Sequence, residues 1–177
     1  MTDGAGPVLV TERLELWRPQ ASDHAGLLAL VTPEAVRRFL GPAKPTPEDA
    51  FTRLLRNAGS WALYGYGVFS VRERGQAGIV ASCGVFHSWR GFGEGMDDVP
   101  EAGWIIAAPH WGKGYASEAM QAALAWFDAE HGLRTVCMIE EGHAASAAVA
   151  ARLGYVEYAR HQPGEGSELV LYERGVS

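Results

Sequence analysis

The sequence predicts a mixed α/β domain built on a largely antiparallel β-sheet. Apolar residues make up 47% of the 177 residues, which suits one domain with a sizeable core, so residues 1–177 are expected to form a single domain. Strand-like and helical segments alternate along the chain. Their order is a strand, several helices, three consecutive strands, and then helix, strand, helix and two strands.

The first third of the chain predicts one strand and three helices. Residues 1–7 are expected to be a loose tail, after which Leu9–Arg18 alternates apolar and polar residues like a half-buried strand. Ser22 or Asp23 is expected to cap the first helix. Thr46 begins the strongest of the three, because a capping residue is followed by proline and two acids. The helices are expected to end near residues 31, 40 and 57, with Gly41 and Pro42 closing the second.

The middle of the chain predicts three strands and a long helix. The strand-like runs cover residues 66–72, 78–88 and 101–107. The helix that follows has one continuous apolar face and is stopped by Gly132. The residues of that face recur at helical spacing: Ala116, Ala119, Met120, Ala123, Leu124 and Phe127. The last third predicts a strand over 134–139, an alanine-rich helix over 143–153, and strands over 155–158 and 168–172.

A glycine loop precedes the long helix. Gly112 and Gly114 allow a sharp turn in which several backbone N–H groups point to one place, and the helix N-terminus adds partial positive charge. The loop therefore predicts an anion cradle, for which a pyrophosphate is the best candidate. The spacing of a mononucleotide P-loop is absent, and so is the third glycine of a dinucleotide fingerprint. A tight turn without a ligand is the alternative.

Composition excludes several classes of protein. The net charge of −6 argues against nucleic-acid binding, and no apolar run is long enough to span a membrane. The N-terminus lacks the basic and apolar blocks of a signal peptide. Cys83 and Cys137 are expected to be buried free thiols, which fits a cytoplasmic protein. The histidines show no metal-ligand spacing, so no metal is expected.

Three motifs resemble motifs of the GNAT superfamily of N-acetyltransferases. They occur along this chain in the same order as in the family. Trp111–Ala116, followed by Ser-Glu-Ala, resembles its acetyl-CoA pyrophosphate loop. Ser146–Tyr155, with its Leu-Gly-Tyr ending, resembles a later helix of the family. Thr11–Pro19 resembles the opening strand of the branch that contains the Rim-type ribosomal-protein N-terminal acetyltransferases. Two positions depart from the family pattern: Trp111 replaces a frequent Gln or Arg, and His143 replaces the usual Asn.

This resemblance implies a GNAT-like sheet that splays at an acetyl-CoA site. It implies transfer of an acetyl group from acetyl-CoA, the co-substrate, to a primary amine by direct attack in a ternary complex. The pantetheine arm is expected to pair with the strand before the loop, and the pyrophosphate with the loop amides. The expected cofactor-binding residues are Ile105, Ile106, Ala107, Gly112, Lys113, Gly114, Tyr115, Ala116 and Ser117. The Lys113 side chain either adds charge there or is simply solvated.

Two residues are expected to carry proton transfer. Glu101 is the candidate base that takes the proton of the amine, directly or through water. Its alternative is an ordinary carboxylate at a strand end. Ser146 matches the serine that serves as general acid toward the departing thiolate in some relatives. Its alternative is a hydroxyl that bonds to backbone in the first turn of a helix.

The acceptor is left open between a protein N-terminus and a small-molecule amine. An acidic group before the catalytic strand is expected either to attract a cationic amine or to be merely solvated. Its members are Glu94, Asp97, Asp98 and Glu101. A non-catalytic acyl-CoA sensor or interaction module is the alternative function. A homodimer is a family-level expectation only.

Overall fold

The structure is a computed structural model that describes residues 6–41 and 43–175. In these residues an eight-stranded sheet has the order β1-β2-β3-β4-β5-β6-β8-β7 and is flanked by helices. The strands are β1 Leu9–Val10, β2 Leu14–Trp17, β3 Val68–Glu73, β4 Ile79–Trp89, β5 Asp97–Ile106, β6 Thr135–Glu140, β7 Val156–His161 and β8 Leu169–Arg174. The helices are α1 His24–Val31, α2 Glu34–Arg37, α3 Pro47–Tyr64, α4 Tyr115–Glu130 and α5 Ala144–Arg152.

The sheet is antiparallel except at one place. Strands β4 and β5 pair along almost their whole length, from Ala81 opposite Ile106 to Trp89 opposite Asp97. Strand β5 then meets β6 in parallel, and the register contains one pair, Glu101 opposite Val136. Beyond that pair the two strands diverge, so the sheet is open between residues 102–106 and residues 137–140. The predicted mixed, mostly antiparallel and splayed sheet is confirmed.

Helix α4 supplies much of the core. Its predicted apolar face is buried at Ala119, Met120, Ala123, Leu124 and Phe127, where it packs against the sheet. Ala116, at the start of the same face, is only half-buried. A second cluster joins α1 and α3 to the edge of β4 and β5, with Leu27, Leu30, Val31 and Leu54 at its centre. These contacts hold the glycine loop and the open edge of β5 in fixed positions.

The prediction of one continuous strand over residues 9–18 was wrong in one respect. These residues form two short strands, β1 and β2, which are joined as a hairpin. The chain turns at Thr11–Arg13, where the Thr11 hydroxyl accepts the Leu14 N–H at 3.0 Å. The carboxylate of Glu118 accepts from the Thr11 hydroxyl at 2.6 Å and from the Arg13 backbone N–H at 2.9 Å. This tertiary contact, more than a hundred residues away in sequence, stabilises a turn that alternation alone does not reveal.

Helix α3 continues seven residues past the predicted end, from residue 57 to Tyr64, because its last turn is anchored to the sheet. Trp61 is buried and donates its indole N–H to the Val68 carbonyl at 3.0 Å. The helix ends at Gly65, whose φ of 78° is left-handed and suits glycine. The predicted start at Thr46 is confirmed, with a complete capping box between Thr46 and Asp49.

Smaller differences concern the N-terminal segments. Helix α2 is shorter than the predicted 33–40 segment. Asp23 does not cap α1 with its side chain. Its buried carboxylate accepts from Ser70 at 2.7 Å and pairs with Arg72 at 2.6 Å. Of the expected tail, residues 1–5 lie outside the described residues, as does Pro42, and residues 6 and 7 belong to no helix or strand.

Candidate active site

The glycine loop forms an open cradle at the start of α4. Gly112 and Gly114 have φ angles of 73° and 80°, a left-handed conformation that favours glycine. The first N–H groups of α4 have no partner within the helix. A Cβ atom at Gly112 would meet nothing within 4 Å, and one at Gly114 only an Arg13 nitrogen at 3.6 Å. The space in front of these amides is therefore open to a ligand.

Contacts with three other parts of the chain hold the loop in place. Arg13 donates to the Lys113 carbonyl at 2.8 Å and forms an ion pair with Glu118 at 2.6 Å. The indole N–H of Trp111 donates to the Ile106 carbonyl at 2.8 Å. The Tyr115 hydroxyl donates to Glu73. The cradle is thus preorganised by contacts within the protein itself.

A cavity of about 890 Å³ extends from this loop along the open edges of β5 and β6. Its walls include the loop, residues 101–106 of β5, residues 137–140 of β6 and the inner side of α5. The cavity therefore offers an anion cradle at one end and exposed strand edges along its length. This shape fits an extended ligand that has a pyrophosphate and an amide-bearing arm, as acetyl-CoA has.

Seven of the nine expected cofactor-binding residues line this cavity: Ile105, Ile106, Gly112, Gly114, Tyr115, Ala116 and Ser117. Ala107 and Lys113 are not among the lining residues. The Ala107 N–H donates to the Val80 carbonyl at 2.9 Å. The Lys113 ammonium lies 3.3 Å from His110 Nδ1 and 4.0 Å from Glu73, away from the cradle.

Glu101 is buried at the other end of the cavity, and only 3% of its surface is exposed. Its Oε2 accepts from the Ser88 hydroxyl at 2.6 Å and from Arg90 Nε at 2.7 Å, and its Oε1 accepts from Arg90 Nη2. A carboxylate has about four acceptor positions. Three donors therefore leave room for one more partner, such as a water or an amine.

Ser146 and His143 form a pair in the first turn of α5. The Ser146 hydroxyl lies 3.1 Å from His143 Nε2, and both residues line the cavity. The imidazole is stacked on the Phe39 ring, with centroids 3.8 Å apart. Burial, and more weakly the charge of Arg38, lowers the pKa of His143, although Glu140 opposes this. The imidazole is therefore neutral at pH 7.

The acidic group, of which Glu94 lies in the β4–β5 loop and the other three members lie in β5, is engaged in contacts of its own, and only Glu101 lines the cavity. Asp97 accepts from the backbone N–H groups of Gly91 and Gly93. Asp98 lies 2.9 Å from His87 Nε2. Glu94 lies 3.5 Å from the His161 ring. The expectation that this group attracts a cationic amine is therefore not supported by its geometry.

Most of the charged side chains that line the cavity are positive. Five arginines and two glutamates face it: Arg38, Arg53, Arg56, Arg90, Arg152, Glu101 and Glu140. Arg152 donates to the Ser117 hydroxyl at 3.2 Å, next to the cradle. The sequence reasoning did not single out these arginines. The one available signal was the spacing of Arg53 and Arg56, which places them on one face of a helix.

No cluster of three or more potential metal ligands occurs among residues 6–41 and 43–175. Over the same residues, no helix is long and apolar enough to cross a membrane.

A family profile described as Acetyltransferase (GNAT) domain matches residues 13–156, which include β2, the cradle and α5. The chain belongs to this GNAT acetyltransferase family. The general reaction of GNAT enzymes is transfer of an acetyl group from acetyl-CoA.

Three known proteins illustrate what this chain is similar to. A protein of Bordetella pertussis assigned to the GNAT-family acetyltransferases has 33% identity and a TM-score of 0.84, with 94% of this chain and 98% of that chain covered. The uncharacterized protein YkkB of Bacillus subtilis is 27% identical over 171 residues, covering 94% of each chain. RimL, a ribosomal L7/L12 alpha-N-protein acetyltransferase solved with coenzyme A, has 17% identity and a TM-score of 0.72, covering 96% of this chain and 97% of its own.

Proposed function

We propose that this protein is an N-acetyltransferase that moves the acetyl group of acetyl-CoA to a primary amine by direct attack in a ternary complex. The observation that carries the proposal is the opening of the sheet between β5 and β6 directly in front of the preformed glycine cradle. The amides of residues 112–117 would bind the pyrophosphate, with Arg152 beside them. The open edge of β5 would bind the pantetheine arm and present an N–H to the thioester oxygen as negative charge develops there.

The two proton transfers of the reaction are assigned to two different residues that line the cavity, Glu101 and Ser146. The amine must lose a proton to attack, and Glu101 is proposed to accept it at its remaining acceptor position, directly or through water. Ser146 is proposed to give its hydroxyl proton to the departing CoA sulfur and to take a proton from water in its place, while Glu101 releases the amine proton to solvent. With its proton on Nε2, His143 would donate to the Ser146 oxygen and leave the hydroxyl hydrogen free for that sulfur. The products are the N-acetylated amine and CoA with a free thiol.

The Rim-type branch is proposed on the Thr11–Pro19 motif alone. This motif forms the turn of the hairpin and β2, and its Thr11 and Arg13 hold Glu118 at the start of α4. It therefore supports the cradle rather than the acceptor end of the cavity. A protein N-terminus and a small amine remain the two acceptors to be compared.

Two measurements test the proposal. Acetyl-CoA at 100 times its dissociation constant should stabilise the folded protein by about 2.7 kcal/mol, which calorimetry detects as a raised melting temperature. Release of CoA thiol should depend on an added amine. Binding without turnover on any amine would instead support the acyl-CoA sensor, and no thermal shift would refute the acetyl-CoA site.

A further inference from the structure

Helix α3 places two arginines in the cavity, and neither is in direct contact with a carboxylate of the residues that the structure describes. Arg53 and Arg56 are one helical turn apart and both line the cavity. Among the described residues, neither guanidinium forms an ion pair with a carboxylate. The carboxylate of Asp49, one turn before Arg53, is occupied by the Thr46 capping box. The two guanidinium groups are therefore available to a ligand.

The two charges also repel each other. Burial lowers the pKa of Arg53, and the neighbouring charge of Arg56 lowers it further. Burial and the charge of Arg90 lower the pKa of Arg56, while Glu101 raises it. Glu101 offsets this excess only in part, because its carboxylate is already bonded to Arg90 and Ser88 and the pKa of Arg56 is still lowered. An anion bound between Arg53 and Arg56 would relieve the repulsion.

The position of the pair separates it from the acetyl-CoA phosphates. Arg53 and Arg56 interact electrostatically with Arg90, and Arg56 also with Glu101, so they lie at the Glu101 end of the cavity. The cradle follows Ile106, at the other end of the open edge. These two ends are roughly 17 Å apart along β5, at about 3.3 Å per residue. The cradle already has Arg152 beside it for phosphate.

We propose that the acceptor is a primary amine that carries an anionic group, a carboxylate or phosphate, a few bonds away, and that Arg53 and Arg56 bind this group while the amine lies at Glu101. This proposal rests on the proposed N-acetyltransferase function and names its substrate class. The sequence analysis considered an acidic group that attracts a cationic amine. The proposed acceptor instead carries a negative charge beside its amine. Arg56 interacts electrostatically with Glu101, and this neighbourhood is the reason for a spacing of only a few bonds between anion and amine.

The experiment compares acceptors that differ only in the anionic group. O-Phosphoethanolamine is paired with ethanolamine, and β-alanine with its amide. A tripeptide that begins Ser-Asp-Glu is paired with one that begins Ser-Asn-Gln, so that a free small molecule and a peptide N-terminus are distinguished as sources. CoA release is measured for the parent, for Arg53→Gln and for Arg56→Gln. Arg74→Gln is the matched control, because it removes the same charge from the exposed β3–β4 turn.

We expect the anionic member of at least one pair to have the higher kcat/KM. Each arginine substitution should lower that value by about tenfold or more, since hydrogen bonds between charged groups are the strong ones. The neutral member should lose less than the anionic one, the KM for acetyl-CoA should be unchanged, and the melting temperature should not fall, because each substitution removes one of two like charges. Arg74→Gln should behave as the parent.

Two results would overturn this inference while leaving the N-acetyltransferase function intact. One is turnover of neutral and anionic amines with equal kcat/KM in the parent. The other is a raised KM for acetyl-CoA in Arg53→Gln and Arg56→Gln with unchanged acceptor preference, which would assign the pair to the CoA phosphates. Turnover of no amine at all would refute the proposed function and this inference with it.

Discussion

The Ser146 hydroxyl lies 3.1 Å from Nε2 of His143, and the imidazole is fixed in turn by stacking on Phe39. In the sequence, His143 was a departure from the family pattern, where Asn is usual. In the structure, it is the hydrogen-bond partner of the proposed general acid. The side chain does not cap α5. This pairing gives Ser146 an orientation that a hydroxyl bonded only to backbone would not have.

Replacement of Ser146 by Ala should lower kcat by about a hundredfold, the lower range for loss of a positioned general acid. The KM for acetyl-CoA should hardly change, because the cradle is elsewhere. His143→Ala should lower kcat by a smaller factor, since it leaves the hydroxyl present but unoriented. Steady-state kinetics at saturating amine measures both. Full activity of Ser146→Ala would refute the assignment.

The neutral state of His143 has a consequence for stability. Its pKa is lowered in the folded protein, so as pH falls below its ordinary value of 6.5 the unfolded chain binds a proton before the folded protein does. The stabilisation is therefore fully present above that pH and is lost as pH falls through the interval between the two pKa values. Urea unfolding at several pH values should show a steeper decline for the parent than for His143→Asn, and equal slopes would contradict the lowered pKa.

Glu101→Gln should lower kcat by about a hundredfold or more if Glu101 accepts the proton of the amine. The remaining activity should rise with pH, because solvent base then removes that proton. The ion pair with Arg90 gives Glu101 a structural role as well, so the melting temperature is measured beside the pH profile. A variant that loses stability but keeps the parent kcat in its folded fraction would identify Glu101 as a purely structural carboxylate.

Gly114→Glu should abolish acetyl-CoA binding. The substitution places a side chain in the left-handed conformation and a negative charge at the start of α4, where the pyrophosphate would bind. Gly75→Glu is the matched control, because its φ of 72° is equally left-handed and a Cβ atom there meets nothing within 4 Å. Thermal melting with and without acetyl-CoA should show a ligand-dependent shift in Gly75→Glu but none in Gly114→Glu. A shift in both would place the binding site elsewhere.

Asp23→Ala should destabilise the protein by about 3–5 kcal/mol, since it leaves the buried Arg72 without its partner. Removing Glu157, whose ion pair with Arg160 is exposed, should cost less than about 1 kcal/mol. Urea denaturation compares Asp23→Ala with Glu157→Ala. Equal losses would show that the buried pair contributes no more than a surface one.

Local patterns in the sequence predicted the fold well where one segment determines its own structure. The spacing of residues 116–127 identified the buried face of α4, and the two glycines identified the left-handed turns of the cradle. The hairpin at Thr11 escaped prediction because its turn depends on Glu118, which is distant in sequence. The end of α3 escaped prediction because it depends on packing outside the helix, where Trp61 bonds to the backbone of β3.

The acceptor end of the cavity was the least predictable part. The acidic group before residue 101 was left open between attracting a cationic amine and being solvated, because sequence does not reveal that Asp97 and Asp98 already have partners. Arg53 and Arg56 looked like ordinary surface charges on a helix. Only the packing of α3 beside β5 shows that they face the same cavity as Glu101.

One registered pair, Glu101 opposite Val136, joins the first five strands to the last three. An acetyl-CoA molecule bound in the opening would take the place of the missing strand pairing and connect both sides. Amide hydrogens of residues 102–106 and 137–140 should therefore exchange with solvent faster in the free protein than in the complex. The donor substrate would thus serve as a structural element that fastens the two parts of the sheet together.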